Sequence, residues 1–134
     1  DRIQRFYPVA SVAATGAKIT IGSDWSVDDM NPFLAIEVAI TRQNPLTNAG
    51  PVLNPAQRID LATVIEAYTK NVAYAMKRED DFGTIEVGKF ADLVILDRNL
   101  FVIPADQISD TQALMTFFSG RKIFQRAPKS DQRR

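Results

Sequence analysis

Histidine and cysteine are both missing from this 134-residue chain. Without cysteine there can be no disulfide and no thiolate metal site, although many proteins of every compartment share that lack. Net charge is missing too: 16 basic side chains balance 16 acidic ones. No basic stripe interleaved with aromatics runs along the chain, so nucleic acid is not an expected partner. Nor does any stretch approach the roughly 20 apolar residues needed to span a bilayer, so a membrane is not expected as a partner either. No signal-peptide pattern, internal repeat or low-complexity tract is visible. Compartment is left open, with a lean to the cytoplasm. The chain begins at Asp1 rather than methionine, and it is expected to be a piece of something longer.

What is present is an ordinary globular composition, 46% hydrophobic and 24% charged, enough to build a buried core. "FYPVASVAATG" reads as a short helix with Pro8 in its first turn and Gly16 at its left-handed cap. "AKITIG" reads as a strand, joined to the helix by the short connection of a layered α/β protein. Asn31 and Pro32 then open a helix over "FLAIEVAITR". "QNPLTNAGPVLNPAQ" is irregular loop, and Asn54 with Pro55 repeats the cap-and-proline device. The helix it launches has an apolar stripe of Ile59, Ala62, Ile65, Val72 and Met76, with a break expected at Thr69. Beyond "KREDD" the signals are turns and strands. "FADLVILD" resembles a strand covered on both faces, "ALMTFFSGRKIFQR" a hairpin turning at Ser119 and Gly120, and the segment between them loop with a helical turn.

One strand among helices, followed by three strands that form only part of a sheet, leaves edges that require neighbours. The first strand is also where the chemistry concentrates. In parallel α/β proteins reactive groups gather at the carboxyl ends of strands, and Asp24 sits at such an end. Gly22 is suited to a close approach by a backbone or ligand, while Ser23 and Trp25 flank the acid. A partly desolvated carboxylate there can serve as general base towards a metal-held water and return the proton to a leaving nitrogen. Asp24 or Ser23 can equally be a cap for the following turn, which is the commoner use of such residues. Asp28 and Asp29 suit a solvated loop or the positive start of the next helix, and their pattern lacks the alternation of a calcium loop.

Taken together, "YPVASVAATGAKITIGSDWSVDDMNPFLAIEVAITR", "AYTKNVAYAM" and "FGTIEVGKFADLVILD" resemble, in this order, the C-terminal part of metal-dependent amidohydrolases. The branch is that of N-acyl amino acid deacylases and N-substituted formamide deformylases. The resemblance runs from Phe6 to about Phe124. It implies an α/β fold class: the C-terminal fragment of a distorted (β/α)8 TIM-like barrel, plus the C-terminal strands of a small β-sandwich domain. Residues 1–81 would belong to the barrel, 82–126 to the sandwich, and 127–134 would form a disordered tail. "AKITIGSD" would be the eighth barrel strand, with Asp24 both the metal ligand and the catalytic proton shuttle. Gly88, Lys89, Ala91 and Asp92 match a family turn, in which Asp92 is expected to hydrogen-bond backbone.

The family's metals are held mainly by histidines on strands that this chain does not contain. Asp24 alone cannot supply the three or four ligands of a transition-metal site, so no cofactor is expected in the fragment alone and the fragment is expected to be inactive. In the complete enzyme the implied cofactor is a divalent metal, zinc by resemblance. The implied substrate is a small-molecule amide or N-acyl compound, cut at a non-peptide carbon–nitrogen bond. The implied partner is the rest of the barrel or a second copy of the chain. Trp25 could line the substrate mouth or pack beneath the loop. Arg42 and Asn44 fit the end of a helix better than a substrate contact, Tyr68 and Tyr74 fit a core, and "SGRK" fits a plain turn better than an anion nest. The alternative function is a non-catalytic scaffold remnant or interaction module that self-associates through open strand edges.

Overall fold

A computed structural model of the chain describes residues 2–127; the expected tail lies, from residue 128 on, outside them. After a single 3-10 turn at Ile3–Arg5, helix α1 spans Val9–Ala13 and α2 spans Pro32–Thr41. Helices α3, Leu61–Tyr68, and α4, Lys70–Ala75, follow in near continuity. Strands β1, Leu93–Leu96, β2, Ala113–Phe118, and β3, Arg121–Gln125, form one antiparallel sheet in the order β1-β2-β3.

Local chemistry accounts for the element ends. Asn31 caps α2 by accepting a hydrogen bond from the Phe33 amide at 3.1 Å, and Pro32 stands at the first helical position. Gly16 (φ +81) takes the left-handed conformation after α1. Ser119 (φ 48) and Gly120 (φ 75) are both left-handed, the two-residue turn whose twist matches a hairpin. A 3-10 helix at Ala105–Asp110 fills part of the connection between β1 and β2.

Three expectations are corrected. The cap-and-proline pair at Asn54 and Pro55 launches only a 3-10 turn, Pro55–Gln57. Asn54 is left-handed (φ 48), and its amide nitrogen donates to the carbonyls of Ile3, Gln4 and Phe6. Helix α3 instead starts at Asp60, whose carboxylate accepts from the Thr63 amide at 2.9 Å and from the Thr63 hydroxyl at 2.8 Å. The buried stripe runs through Ile59, Val64, Ala67 and Ala73, while Ala62 and Met76 are exposed. Strand β1 is not covered on both faces: Val94 and Ile95 are about half exposed.

Residues 17–22, expected as a strand, form neither a helix nor a paired strand among the described residues. The helix break expected at Thr69 is present, with φ −122 and ψ −93. The Thr69 hydroxyl does not cap α4 but donates back to the Ile65 carbonyl at 2.7 Å, a local bond that bends helices. The main core joins Ile36, Ile59, Val64, Leu100 and Ile108, with Ile21 and Tyr68 packed against it. It therefore lies directly beneath the segment that leads to Asp24.

Candidate functional site

Asp24 follows residues 17–23 and begins a turn. Its φ of 49 is left-handed, a conformation that aspartate tolerates better than most residues, and its carbonyl accepts from the Val27 amide at 2.8 Å. The side chain is exposed, and its carboxylate accepts no hydrogen bond from the described residues. Neither Ser23 nor Asp24 caps α2, a role that falls to Asn31. Asp28 and Asp29 do serve the loop: Asp28 accepts from the Asp29 amide at 2.8 Å and Asp29 from the Asn31 amide at 2.7 Å. Trp25 is 66% exposed and does not pack beneath the loop. At Gly22 a Cβ would meet nothing within 4 Å, so the close approach expected there does not occur among the described residues.

Beneath the loop stands Tyr68, half-buried at the end of α3. Burial raises its phenol pKa, and the nearby Asp28 carboxylate raises it further. Tyr68 also lines an open cleft of about 320 Å³ with Val72, Phe82, Ile85, Phe90 and Val94. Asp24 is not among the residues lining that cleft. No group of three or more histidine, cysteine, aspartate or glutamate side chains converges among the described residues. Asp24 could therefore give a metal one oxygen, and the residues present do not themselves make a metal site.

Other side chains singled out in the sequence have structural positions. Arg42 is buried, donating from Nε to the Leu53 carbonyl at 3.0 Å and from its terminal nitrogen to the carbonyls of Phe6 and Tyr7. It ties the start of the chain to the loop after α2. Asn44 accepts from the Leu46 amide at 2.9 Å. Tyr74 is exposed rather than core, with the Lys18 ammonium 4.7 Å from its ring centroid. Asp92 accepts from the Ser119 amide at 2.7 Å, so the "SGRK" turn has an internal carboxylate where an anion nest was considered.

Glu37, Gln57, Asn71 and Thr111 are buried polar residues that the sequence pattern did not single out. Glu37, fully buried in α2, accepts from the Ser109 amide at 2.7 Å through Oε2, while Oε1 has no partner among the described residues. Asn71, 7% exposed in α4, donates to the Ile19 carbonyl at 3.0 Å. Glu37 interrupts the apolar run "FLAIEVAI", and that interruption was the available signal, whereas Asn71 follows Thr69 and Lys70 and gave none.

A mixed α/β arrangement, with the Asp24 carboxylate unclaimed by any described donor and a small antiparallel sheet further on, defines a class rather than an activity. The chain belongs to the amidohydrolase family, whose model matches residues 1–124. It is 29% identical over 122 residues to the N-substituted formamide deformylase of Arthrobacter pascens, covering 91% of this chain and 22% of that protein. Among solved structures it resembles an adenosine deaminase from Xanthomonas campestris with bound zinc (TM-score 0.66, 26% identity, 88% of this chain and 28% of that one). An amidohydrolase from Thermotoga maritima MSB8 shares the fold (TM-score 0.61, 20% identity, 88% and 26%). The chain thus spans about a quarter of the length of the relatives it matches.

Proposed function

We propose that this chain is the C-terminal portion of a metal-dependent hydrolase that cuts a non-peptide carbon–nitrogen bond of a small amide or N-acyl compound. Residues 17–24 would form the last strand of its barrel, residues 1–81 the barrel's C-terminal piece and residues 82–126 part of a β-sandwich. The observation that carries the reading is Asp24: an exposed carboxylate directly after residues 17–23, in a chain of this family, that no described donor engages. A carboxylate left free in this way is available to take a proton from water and deliver it to a leaving nitrogen. Asp28 and Asp29, by contrast, are committed to loop amides.

A divalent metal, with zinc the first candidate, would be held by Asp24 together with ligands from outside this sequence, and when bound it would activate water and polarise the carbonyl. Trp25, exposed beside Asp24, would contact the substrate's apolar part. The isolated 134-residue chain would be inactive, because it offers one ligand where three or four are needed. The test is metal analysis and amide hydrolysis by the protein produced from the entire reading frame. Absence of a tightly bound divalent ion in that protein would overturn the reading.

A further inference from the structure

We infer that Asn71 is a positioning residue for Asp24, and that the interruption of the helix at Thr69 exists to let α3 and α4 grip the Asp24 segment. The inference deepens the proposed function and rests on Asp24 having the role given there.

The contacts are specific. Between Ala17 and Ser23 the chain forms no helix and has no strand partner among the described residues, and two hydrogen bonds hold its backbone. The Ile19 carbonyl accepts from the Asn71 side chain at 3.0 Å, and the Ile21 amide donates to the Ala67 carbonyl at 3.3 Å.

The helix break makes this possible. In an uninterrupted helix the Ala67 carbonyl would accept from the amide four residues on, that of Asn71. The Thr69 backbone leaves the helical region and its hydroxyl bonds back to Ile65, so α3 ends there and its last carbonyls lack intrahelical donors. Ala67 gives its freed carbonyl to Ile21. Asn71, one turn further on, directs its buried amide nitrogen to Ile19. Two consecutive turns thus hold the segment at five and three residues before Asp24. A displacement of about 1 Å in a reacting group costs rate without loss of fold.

The test uses the protein produced from the entire reading frame, with Asn71→Leu, which keeps the volume and removes the donor, and Asn71→Gln, which keeps the donor on a longer arm. Asn71→Leu is expected to lower kcat by about 10- to 100-fold while KM stays within about threefold, and Asn71→Gln to recover part of the rate. Hydrogen exchange of residues 17–23 should quicken in Asn71→Leu, with α2 unchanged. If Asn71→Leu does not fold, Asn71→Ser, whose donor is too short to reach, is measured in the same way. A folded variant with wild-type kcat, or one that loses rate while residues 17–23 exchange as slowly as in the wild type, overturns the inference. Asp24→Asn run alongside separates the two readings. If that variant remains active, the catalytic role of Asp24 falls, while the exchange data still decide whether Asn71 grips the segment.

Discussion

Asp24 is set apart from its neighbours by what it does not bind. Asp28, Asp29, Asp60 and Asp92 each accept a backbone amide, whereas no described donor reaches the Asp24 carboxylate. In the protein produced from the entire reading frame, Asp24→Asn should lower kcat by about 100- to 10,000-fold, the range of a general acid–base contribution, with little change in Tm. Steady-state kinetics and a thermal melt check both halves. Glu37 presents the opposite case, a buried acid whose task is internal. Glu37→Ala would orphan the Ser109 amide and destabilise the fold by about 1–3 kcal/mol, measurable by denaturant unfolding. Gly83 has no room for a side chain: a Cβ there would stand 2.6 Å from the Ala73 Cβ and 3.0 Å from the Lys70 Cα, at φ +99. Gly83→Ala should therefore destabilise by about 2 kcal/mol or more, seen as a lower urea midpoint.

At the scale of elements, legibility followed the range of the forces involved. The start of α2 was readable at Asn31 and Pro32, and the hairpin at Ser119 and Gly120, because caps and turns act within a few residues. Asn54 and Pro55 carry the same cap signal, yet the Asn54 side chain binds carbonyls some 50 residues away, and α3 starts at Asp60. Pattern alone cannot weigh a distant partner against a local one. The same limit hid Asn71, whose partner Ile19 is 52 residues away, and set the stripe of α3 out of phase. Losing the cap in Asp60→Ala should destabilise by about 1 kcal/mol, read by chemical denaturation. The Thr63 amide, followed by the Thr63 hydroxyl, lowers the Asp60 pKa below its ordinary value of 3.8. A carboxylate with a depressed folded pKa adds stability that is complete above the unfolded value and is lost as pH falls through the folded one. The stability difference between wild type and Asp60→Ala should therefore be constant near neutrality and shrink below about pH 4, as urea titrations across that range would show.

Across the whole molecule, apolar side chains stand open on the sheet and on the loop before it. Ile85, Val87, Phe90, Val94, Phe118 and Ile123 are all at least half exposed, and one edge of β1 has no partner among the described residues. The isolated 134-residue chain should self-associate at micromolar concentration, to be seen as a concentration-dependent mass by light scattering; a monomer throughout would contradict this. The open sheet edges were legible in the sequence because its strands were too few to close a sheet. Which faces would lie open was not, since "LVIL" has the same composition whether a strand is covered or bare. One contact also shapes how the sheet behaves. Asp92, just ahead of β1, is bonded to the turn between β2 and β3, so the first strand is latched to the far end of the hairpin. Fraying at either end must open that latch, and probes placed near Leu93 and Arg121 should report a single shared unfolding transition.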